Sequence, residues 1–187
     1  MSALIVTIVV VVIVLAIALF VVSQFNRLRR LDVLAQGAWA GIDTLLAKRA
    51  DLVPNLVETV KGAADFERGT MEDVTNARAK AAGATTVAET AAADGALTQA
   101  LGRLFAVAES YPQLTATAGF RDLQGQLTQV EGELQFARQY YNDSVVNLNT
   151  ALRTIPSMWF AGMASVHERE MYAEPDAGRR TAPTVDF

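Results

Sequence analysis

Residues 49–62 read RADLVPNLVETVKG, and the interpretation of this stretch decides how many helices the chain forms. Apolar residues recur through it at helical spacing, yet Pro54 lies among them. Inside a helix, proline removes a backbone hydrogen bond at a cost of about 3 kcal/mol or more. Asp51 is a favoured N-cap residue, and the first helical turn tolerates proline because its N–H groups lack partners within the helix. The stretch therefore predicts a helix that begins near Asp51, with a tight turn or sharp kink over residues 50–54.

Helices are also predicted on both sides of this start. Upstream, residues 26–49 carry apolar side chains at steps of three and four, which indicates an amphipathic helix. These side chains are Leu28, Leu31, Ala35, Ala38, Ile42 and Leu45. Downstream, the second helix is predicted over residues 52–82, and the small residues of 83–93 are expected to form a loop.

Two further helices complete the predicted domain. Asp94 is expected to cap a third, shorter helix, which ends before Pro112 because the residue before a proline avoids helical geometry. Over residues 120–155 a three-four apolar repeat predicts a long fourth helix, packed against its neighbours at a shallow, coiled-coil-like angle. The predicted fold is all-α, with an N-terminal transmembrane helix followed by an up-and-down four-helix bundle of long helices.

The transmembrane helix is predicted from the run Leu4–Val22, LIVTIVVVVIVLAIALFVV, which has no charged residue. At about 1.5 Å per residue it spans roughly 29 Å, close to the thickness of the hydrocarbon layer. A cleaved signal peptide is the alternative, but the run has no basic residue before it and no small-residue cleavage site after it. Since Arg27, Arg29 and Arg30 follow the run, the positive-inside bias predicts an external amino terminus and a cytoplasmic carboxy-terminal domain.

The composition excludes several kinds of function. The chain has 187 residues, a formal net charge of -4, one histidine and no cysteine. Disulfides, thiolate metal sites and cysteine nucleophiles are therefore excluded. A mildly acidic chain also lacks the basic face that nucleic-acid binding requires, so no nucleic-acid partner is expected. The catalytic motifs of common enzyme classes are absent, and the isolated His167 offers one metal ligand rather than a site. No catalytic residue, cofactor or metal is predicted.

Charged residues beside the apolar seams are candidates for ion pairs that fix the register of the bundle. Glu67 is expected to pair with Arg138, and Arg78 with Glu131. On the second helix, Asp51, Asn55 and Glu58 are spaced to share one face. Capping combined with a solvated or partner-binding face is favoured there over a cation site, because the three oxygens do not converge.

The apolar segment after the fourth helix is a candidate for contact with the membrane. An up-and-down order returns the fourth helix to the bilayer surface, where Met158, Trp159, Phe160 and Met163 follow. Tryptophan is favoured at the lipid–water boundary, and a short apolar segment can lie in the interface. The alternative is that these side chains cover the open end of the bundle core.

Several stretches together resemble the LemA family. They are RADLVPNLVETVKG (49–62), VAESYPQL (107–114), the F-x-x-L-Q-x-x-L-x-x-x-E run of 120–131, ARQYYNDSVVNLN (137–149) and the terminal VDF. The resemblance implies a membrane anchor and a helical bundle without an established reaction. It also implies an association with a membrane zinc metalloprotease or with magnetosome membrane formation. Where many relatives have a His-Glu pair, this chain has AADFE (63–67), which keeps Glu67 without the histidine.

The leading hypothesis is a single-pass, membrane-anchored helical scaffold that assembles with itself at the cytoplasmic face and has no catalytic activity. Residues 1–25 are predicted to be the anchor, 26–156 the bundle, and 157–187 a short apolar segment and tail. Membrane lipid and further copies of the chain are the expected partners. The alternative is an adaptor for a membrane metalloprotease in quality control, which binds through Asp51, Asn55 and Glu58.

Overall fold

The computed structural model describes residues 2–62 and 67–173, and every regular element within those ranges is helical. The helices are α1 (Ser2–Lys61), α2 (Arg68–Gly83), α3 (Val87–Ala108), α4 (Pro112–Thr115), α5 (Ala118–Arg153) and α6 (Ala161–Ala164), with a 3₁₀ helix over Ser157–Phe160. Among the described residues, α1 alone is long and apolar enough to span a membrane. The predicted all-α fold with an apolar N-terminal helix is confirmed, while the up-and-down four-helix bundle stays a prediction.

Helix α1 continues without a break through Pro54, so the predicted helix start at Asp51 is wrong. A proline at this position leaves the carbonyl of Ala50 without its usual N–H donor. In the structure, Nε of Arg78 on α2 donates a hydrogen bond to that carbonyl at 2.8 Å. Pro54 is exposed, while Val53 beside it is buried in the core. A hydrogen bond between helices thus replaces the one that the proline removes, and one helix forms where the local sequence favoured two.

The break between helices lies further along the chain. Helix α1 ends at Lys61, Gly62 forms a turn, and α2 begins at Arg68. Glycine has a low helix propensity, which fits its position directly after the last helical residue. The predicted second helix over 52–82 therefore consists of two helices. The part of that prediction that falls on residues 63–66, like the terminal VDF motif, lies outside the described residues.

Helix α3 begins earlier than predicted, inside the stretch assigned to a loop over 83–93. The hydroxyl of Thr86 accepts a hydrogen bond from the backbone N–H of Glu89 at 3.2 Å, and the Glu89 carboxylate accepts from the backbone N–H of Thr86 at 3.1 Å. This reciprocal pair is a capping box. Hydrogen bonds from Thr85, its backbone N–H first, and from Thr86 lower the pKa of Glu89. Asp94 is therefore not a cap, and it lies buried within the helix.

Helix α5 runs over Ala118–Arg153 and confirms the predicted long fourth helix. Its apolar stripe is buried or partly buried from Phe120 to Leu152. Ile155, the last residue of the predicted stripe, follows the helix and is 66% exposed. The three-four repeat therefore identifies the packed face of this helix, but the final apolar residue faces outward.

The contacts divide the chain into two compact units, and α1 and α5 each contribute to both. The second unit comprises Ala40–Gln139 and the described residues from Glu170 onward. Apolar residues from α1 to α5 form its core, with Phe105 and Phe120 in edge-to-face contact at 6.0 Å. The buried members are Val53, Leu56, Val57, Val60, Val74, Ala77, Leu97, Ala100, Leu101, Leu104, Ala108, Leu114, Phe120 and Leu127.

The first unit comprises Met1–Trp39 and Tyr140–Arg169. Its buried apolar residues come from α1, α5 and the segment after α5, and include Leu28, Ala35, Ala38, Tyr141, Val145, Leu148 and Val166. Residues 166–173 have no regular structure, and polar contacts of Arg169 fix this segment in place. Asn149 exchanges two hydrogen bonds with the backbone of Arg169, at 2.9 and 3.0 Å. Asp32 accepts two more from the Arg169 guanidinium, at 3.0 and 2.8 Å.

Candidate functional site

Five ionisable side chains from three helices and the C-terminal segment meet inside the second unit. Asp94 of α3 accepts hydrogen bonds from Arg49 of α1 at 2.6 Å, from Tyr172 at 2.7 Å, and from Arg138 of α5. Glu131 of α5 lies 3.0 Å from Arg49 and 3.1 Å from Arg138. The guanidinium of Arg138 also lies over the ring of Tyr172, 5.5 Å from its centroid. We call these five residues the ionic cluster.

The ionic cluster is buried and electrically balanced. Arg49 is 4% exposed and Asp94 3%, and Arg138 is nearly as buried. Glu131 is the member that reaches solvent, with about a third of its side chain exposed. Two arginines face two carboxylates, so the formal charges cancel. Burial of an ion is costly unless the ion is paired and hydrogen-bonded. Each charge in the cluster has an oppositely charged partner, although Nε of Arg49, Nε of Arg138 and Oε2 of Glu131 are buried without a hydrogen-bond partner among the described residues.

The pKa values of Tyr172 and Arg138 are both shifted away from the range that favours proton transfer. Burial and the neighbouring Asp94 carboxylate raise the pKa of Tyr172, so its phenol stays protonated. Burial opposes the charged form of Arg138, but Asp94 and Glu131 outweigh that effect and raise its pKa. A general acid or base works best with a pKa near the operating pH. Tyr172 and Arg138 are therefore poorly suited to acid–base catalysis near neutral pH.

The structure places the predicted register residues in contacts that differ from the predicted pairs. Arg138 pairs with Glu131 on its own helix and with Asp94, rather than with Glu67. Arg78 donates to the carbonyl of Ala50, rather than to Glu131. Glu67 is exposed and accepts a hydrogen bond from Thr70 at 3.3 Å. Both predictions failed because the sequence pattern does not show which helices face each other.

Sequence reasoning missed Arg49, Asp94 and Tyr172 as members of the ionic cluster. A signal for Asp94 was present, since it lies on the same helical face as Ala91, Leu97 and Leu101, all of which are buried. An acidic residue on an apolar face needs a buried partner. Tyr172 had no comparable signal, because it lies in a segment without regular structure.

The predicted interaction face lies on the surface of α1. Because the helix continues through Pro54, Asp51, Asn55 and Glu58 occupy one face of a single helix, and all three are exposed. Glu58 lies 3.5 Å from Lys61, a surface contact of two exposed side chains. Among the described residues, no group of three histidine or acidic side chains could hold a metal ion.

The predicted membrane-contact residues divide into two sets. Met158, Trp159 and Met163 are exposed, whereas Phe160 is partly covered. The Phe160 ring packs edge-on against Phe20, which lies in the apolar run of α1, at 6.2 Å between centroids. Residues 158–163 therefore lie beside the end of the apolar run within the first unit.

Comparisons with known proteins give a family and several named relatives. The family model described as LemA family matches residues 38–187. Magnetosome protein MamQ 1 of Paramagnetospirillum magneticum is 29% identical over 86 residues, which is 46% of this chain and 32% of the relative. Magnetosome protein MamQ of Magnetospirillum gryphiswaldense gives the same values. The chain thus matches about a third of the length of these curated relatives. Together with the apolar N-terminal helix, the similarity indicates a membrane-associated helical protein.

Proposed function

Since the chain belongs to the LemA family, we propose that it is a membrane-anchored helical scaffold that assembles with copies of itself at the cytoplasmic face and has no catalytic activity. The absence of activity is supported by the ionic cluster, whose charges are balanced by one another. Buried charges that pair with one another in this way fix a structure, and they offer no unpaired charge to a substrate.

Self-assembly is supported by one observation above others, the exposure of Val33 and Leu34 on α1. Val33 lies about 16 Å along the helix beyond Val22, the end of the apolar run, which is too far for it to reach the hydrocarbon. Large apolar side chains exposed in water are candidates for a protein contact. An anchor also confines copies to two dimensions, which raises their effective concentration and strengthens weak contacts.

Mass photometry of the full chain, extracted in detergent, tests this assembly. We expect oligomers that dissociate on dilution, and we expect Val33→Ser combined with Leu34→Ser to shift the distribution toward the monomer. Gln36→Ser is the matched control, because Gln36 is exposed on the same helix but polar. A monomer at every concentration for the unaltered chain would contradict the proposal.

The proposed orientation has the amino terminus outside and the domain after α1's apolar run in the cytoplasm. It is supported by Arg27, Arg29 and Arg30, which follow the run. A reporter that is active only in the cytoplasm should work after Phe187 and fail before Met1. Neutral replacements of the three arginines should weaken this preference. An active reporter at the amino terminus of the unaltered chain would overturn the orientation.

An adaptor for a membrane metalloprotease is the second candidate function. It is favoured by the exposed polar face of Asp51, Asn55 and Glu58, which the unbroken α1 presents as one surface. A photo-cross-linker in place of Asn55, activated in native membranes, separates the two candidates. Adducts to a second copy of the chain favour the scaffold, and adducts to a protease favour the adaptor. The same cross-linker at exposed Gln99 on α3 controls for random collisions.

A further inference from the structure

We propose that the segment after α5 is a second membrane contact, in which Ile155, Met158, Trp159 and Met163 insert into the lipid–water interface beside the end of the apolar run. We call these four side chains the interfacial patch. The proposal rests on the membrane anchoring of the proposed function and is independent of self-assembly. It differs from the sequence-based expectation in its members, because Ile155 joins the patch and Phe160 faces α1.

Three contacts fix the segment at the end of the apolar run. The Phe160 ring packs against Phe20. Ser157 donates a hydrogen bond to the side chain of Gln24 at 3.0 Å, and Arg27 donates one to Ser157 at 3.3 Å. Phe20 lies only about 3 Å before Val22 along the helix. If α1 spans the membrane, these contacts hold the segment where the hydrocarbon gives way to the headgroups.

The side chains of the interfacial patch are exposed, although they are among the most apolar in the chain. Ile155 is 66% exposed, Trp159 67% and Met163 63%, with Met158 less so. If the patch covered the end of the core, these side chains would be buried as Ser157 and Ala164 are. Exposed apolar side chains of this size need a covering partner.

Lipid is the partner that the surroundings favour. The segment adjoins a helix surface that bilayer lipids already cover if α1 spans the membrane, so no further molecule has to be recruited. Tryptophan is enriched at membrane interfaces, because its ring is apolar and its N–H can hydrogen-bond. Arg29 and Arg30 are exposed on the adjoining helix and can attract anionic headgroups.

Tryptophan fluorescence in vesicles tests the interfacial patch, because the chain has two tryptophans. The full chain carrying Trp39→Phe retains Trp159 as its single fluorophore. It is reconstituted into phosphatidylcholine vesicles whose acyl chains carry bromine at a shallow or a deep position. An interfacial helix or segment buries its apolar face by roughly 5–10 Å, so we expect strong quenching by shallow bromine and weaker quenching by deep bromine.

The matched control is the full chain carrying Trp159→Phe, which retains Trp39. Trp39 packs against Tyr141 at 5.3 Å and lies about 25 Å along α1 beyond Val22, so neither bromine position should quench it. Unquenched emission from Trp159 in vesicles overturns the proposal, and a blue shift would then assign the covering role to protein. Equal quenching of both tryptophans also overturns it, because the contact would not be specific to the patch.

A second measurement keeps the test independent of the Trp39 substitution. The chain has no cysteine, so Trp159→Cys and the control Gln36→Cys each give one site for a nitroxide spin label. In vesicles, the label at 159 should collide more with oxygen and less with a water-soluble nickel complex than the label at 36. Equal accessibility at both sites overturns the proposal. Mass photometry of the same variants in detergent reports assembly separately, and vesicle flotation reports anchoring, so the failure of either is distinguishable from the failure of the patch.

Discussion

Arg78 should stabilise the protein chiefly because Pro54 removes a backbone hydrogen bond from α1, and a double-mutant cycle can measure that dependence. Nε of Arg78 donates to the carbonyl of Ala50, the acceptor that Pro54 deprives of its N–H partner. If Pro54 becomes Ala, residue 54 regains an N–H that can bond the same carbonyl. The contribution of Arg78 should then fall, because its acceptor is already satisfied.

The expected size of the coupling follows from the burial of these groups. A polar group left unsatisfied inside a protein costs about 1–3 kcal/mol. Ala50 and Arg78 are both only partly buried, so the effect should lie in the lower half of that range. Arg78→Met should therefore lower the free energy of unfolding by about 1–1.5 kcal/mol. In the Pro54→Ala background the same substitution should cost at most about 0.5 kcal/mol, since a helical N–H bonds the carbonyl. The coupling energy should be about 1 kcal/mol.

Urea unfolding of the full chain in detergent micelles, followed by far-UV circular dichroism, gives the four free energies of the cycle. Arg103→Met is the control arginine, because Arg103 forms an exposed salt bridge with Asp73 of α2 at 3.3 Å. Exposed pairs are worth about 0–1 kcal/mol, and that value should not change when Pro54 becomes Ala. A coupling below about 0.3 kcal/mol, the limit expected for independent sites, would refute the compensation.

Three further predictions concern the ionic cluster and the start of α3. Asp94→Asn leaves two buried arginines with Glu131 as their single carboxylate partner in the cluster. Urea unfolding should therefore show that the free energy of unfolding falls by about 3–5 kcal/mol, and a fall below about 1 kcal/mol would contradict the role of Asp94. Burial and Asp94 raise the pKa of Tyr172, so stability should fall as pH rises above about 10, where the unfolded state ionises first. The Tyr172→Phe variant should lack this part of the fall in stability at high pH. An unchanged dependence of stability on pH would count against the contact between Tyr172 and Asp94. Thr86→Ala should cost about 1 kcal/mol by loss of the capping box, whereas no loss on thermal unfolding would argue that α3 is set by packing alone.

The sequence predicted the helices well where each helix is determined by its own apolar pattern. The apolar run of α1 was identified from its length and lack of charge, and the stripe of α5 was identified from its three-four spacing. Such a pattern reports burial directly, since a helix buries the face that carries its apolar residues. The prediction of an all-α fold needed no information about which helices are neighbours.

The errors arose where a distant residue changes what the local sequence favours. The stretch around Pro54 was interpreted as a helix start, because nothing in the local sequence replaces the hydrogen bond that the proline removes. In the structure, Arg78 on another helix supplies that replacement. The start of α3 was different, because Thr86 and Glu89 have the spacing of a capping box in the sequence. The surrounding small residues suggested a loop, although alanine has the highest helix propensity. That start could have been predicted, whereas the continuity of α1 could not.

The ionic cluster gives the helices of the second unit a single register, which their apolar seams alone do not determine. Apolar stripes with a three-four repeat can shift along one another and still bury similar area, because the pattern repeats along the helix. A buried charge does not tolerate such a shift, since removal of its partner costs about 3–5 kcal/mol. Asp94 receives hydrogen bonds from Arg49, Arg138 and Tyr172, so one carboxylate ties α3 to α1, to α5 and to the C-terminal segment. A scaffold must present the same surface in every copy, and a register fixed by charge would provide that surface without any catalytic use of the residues involved.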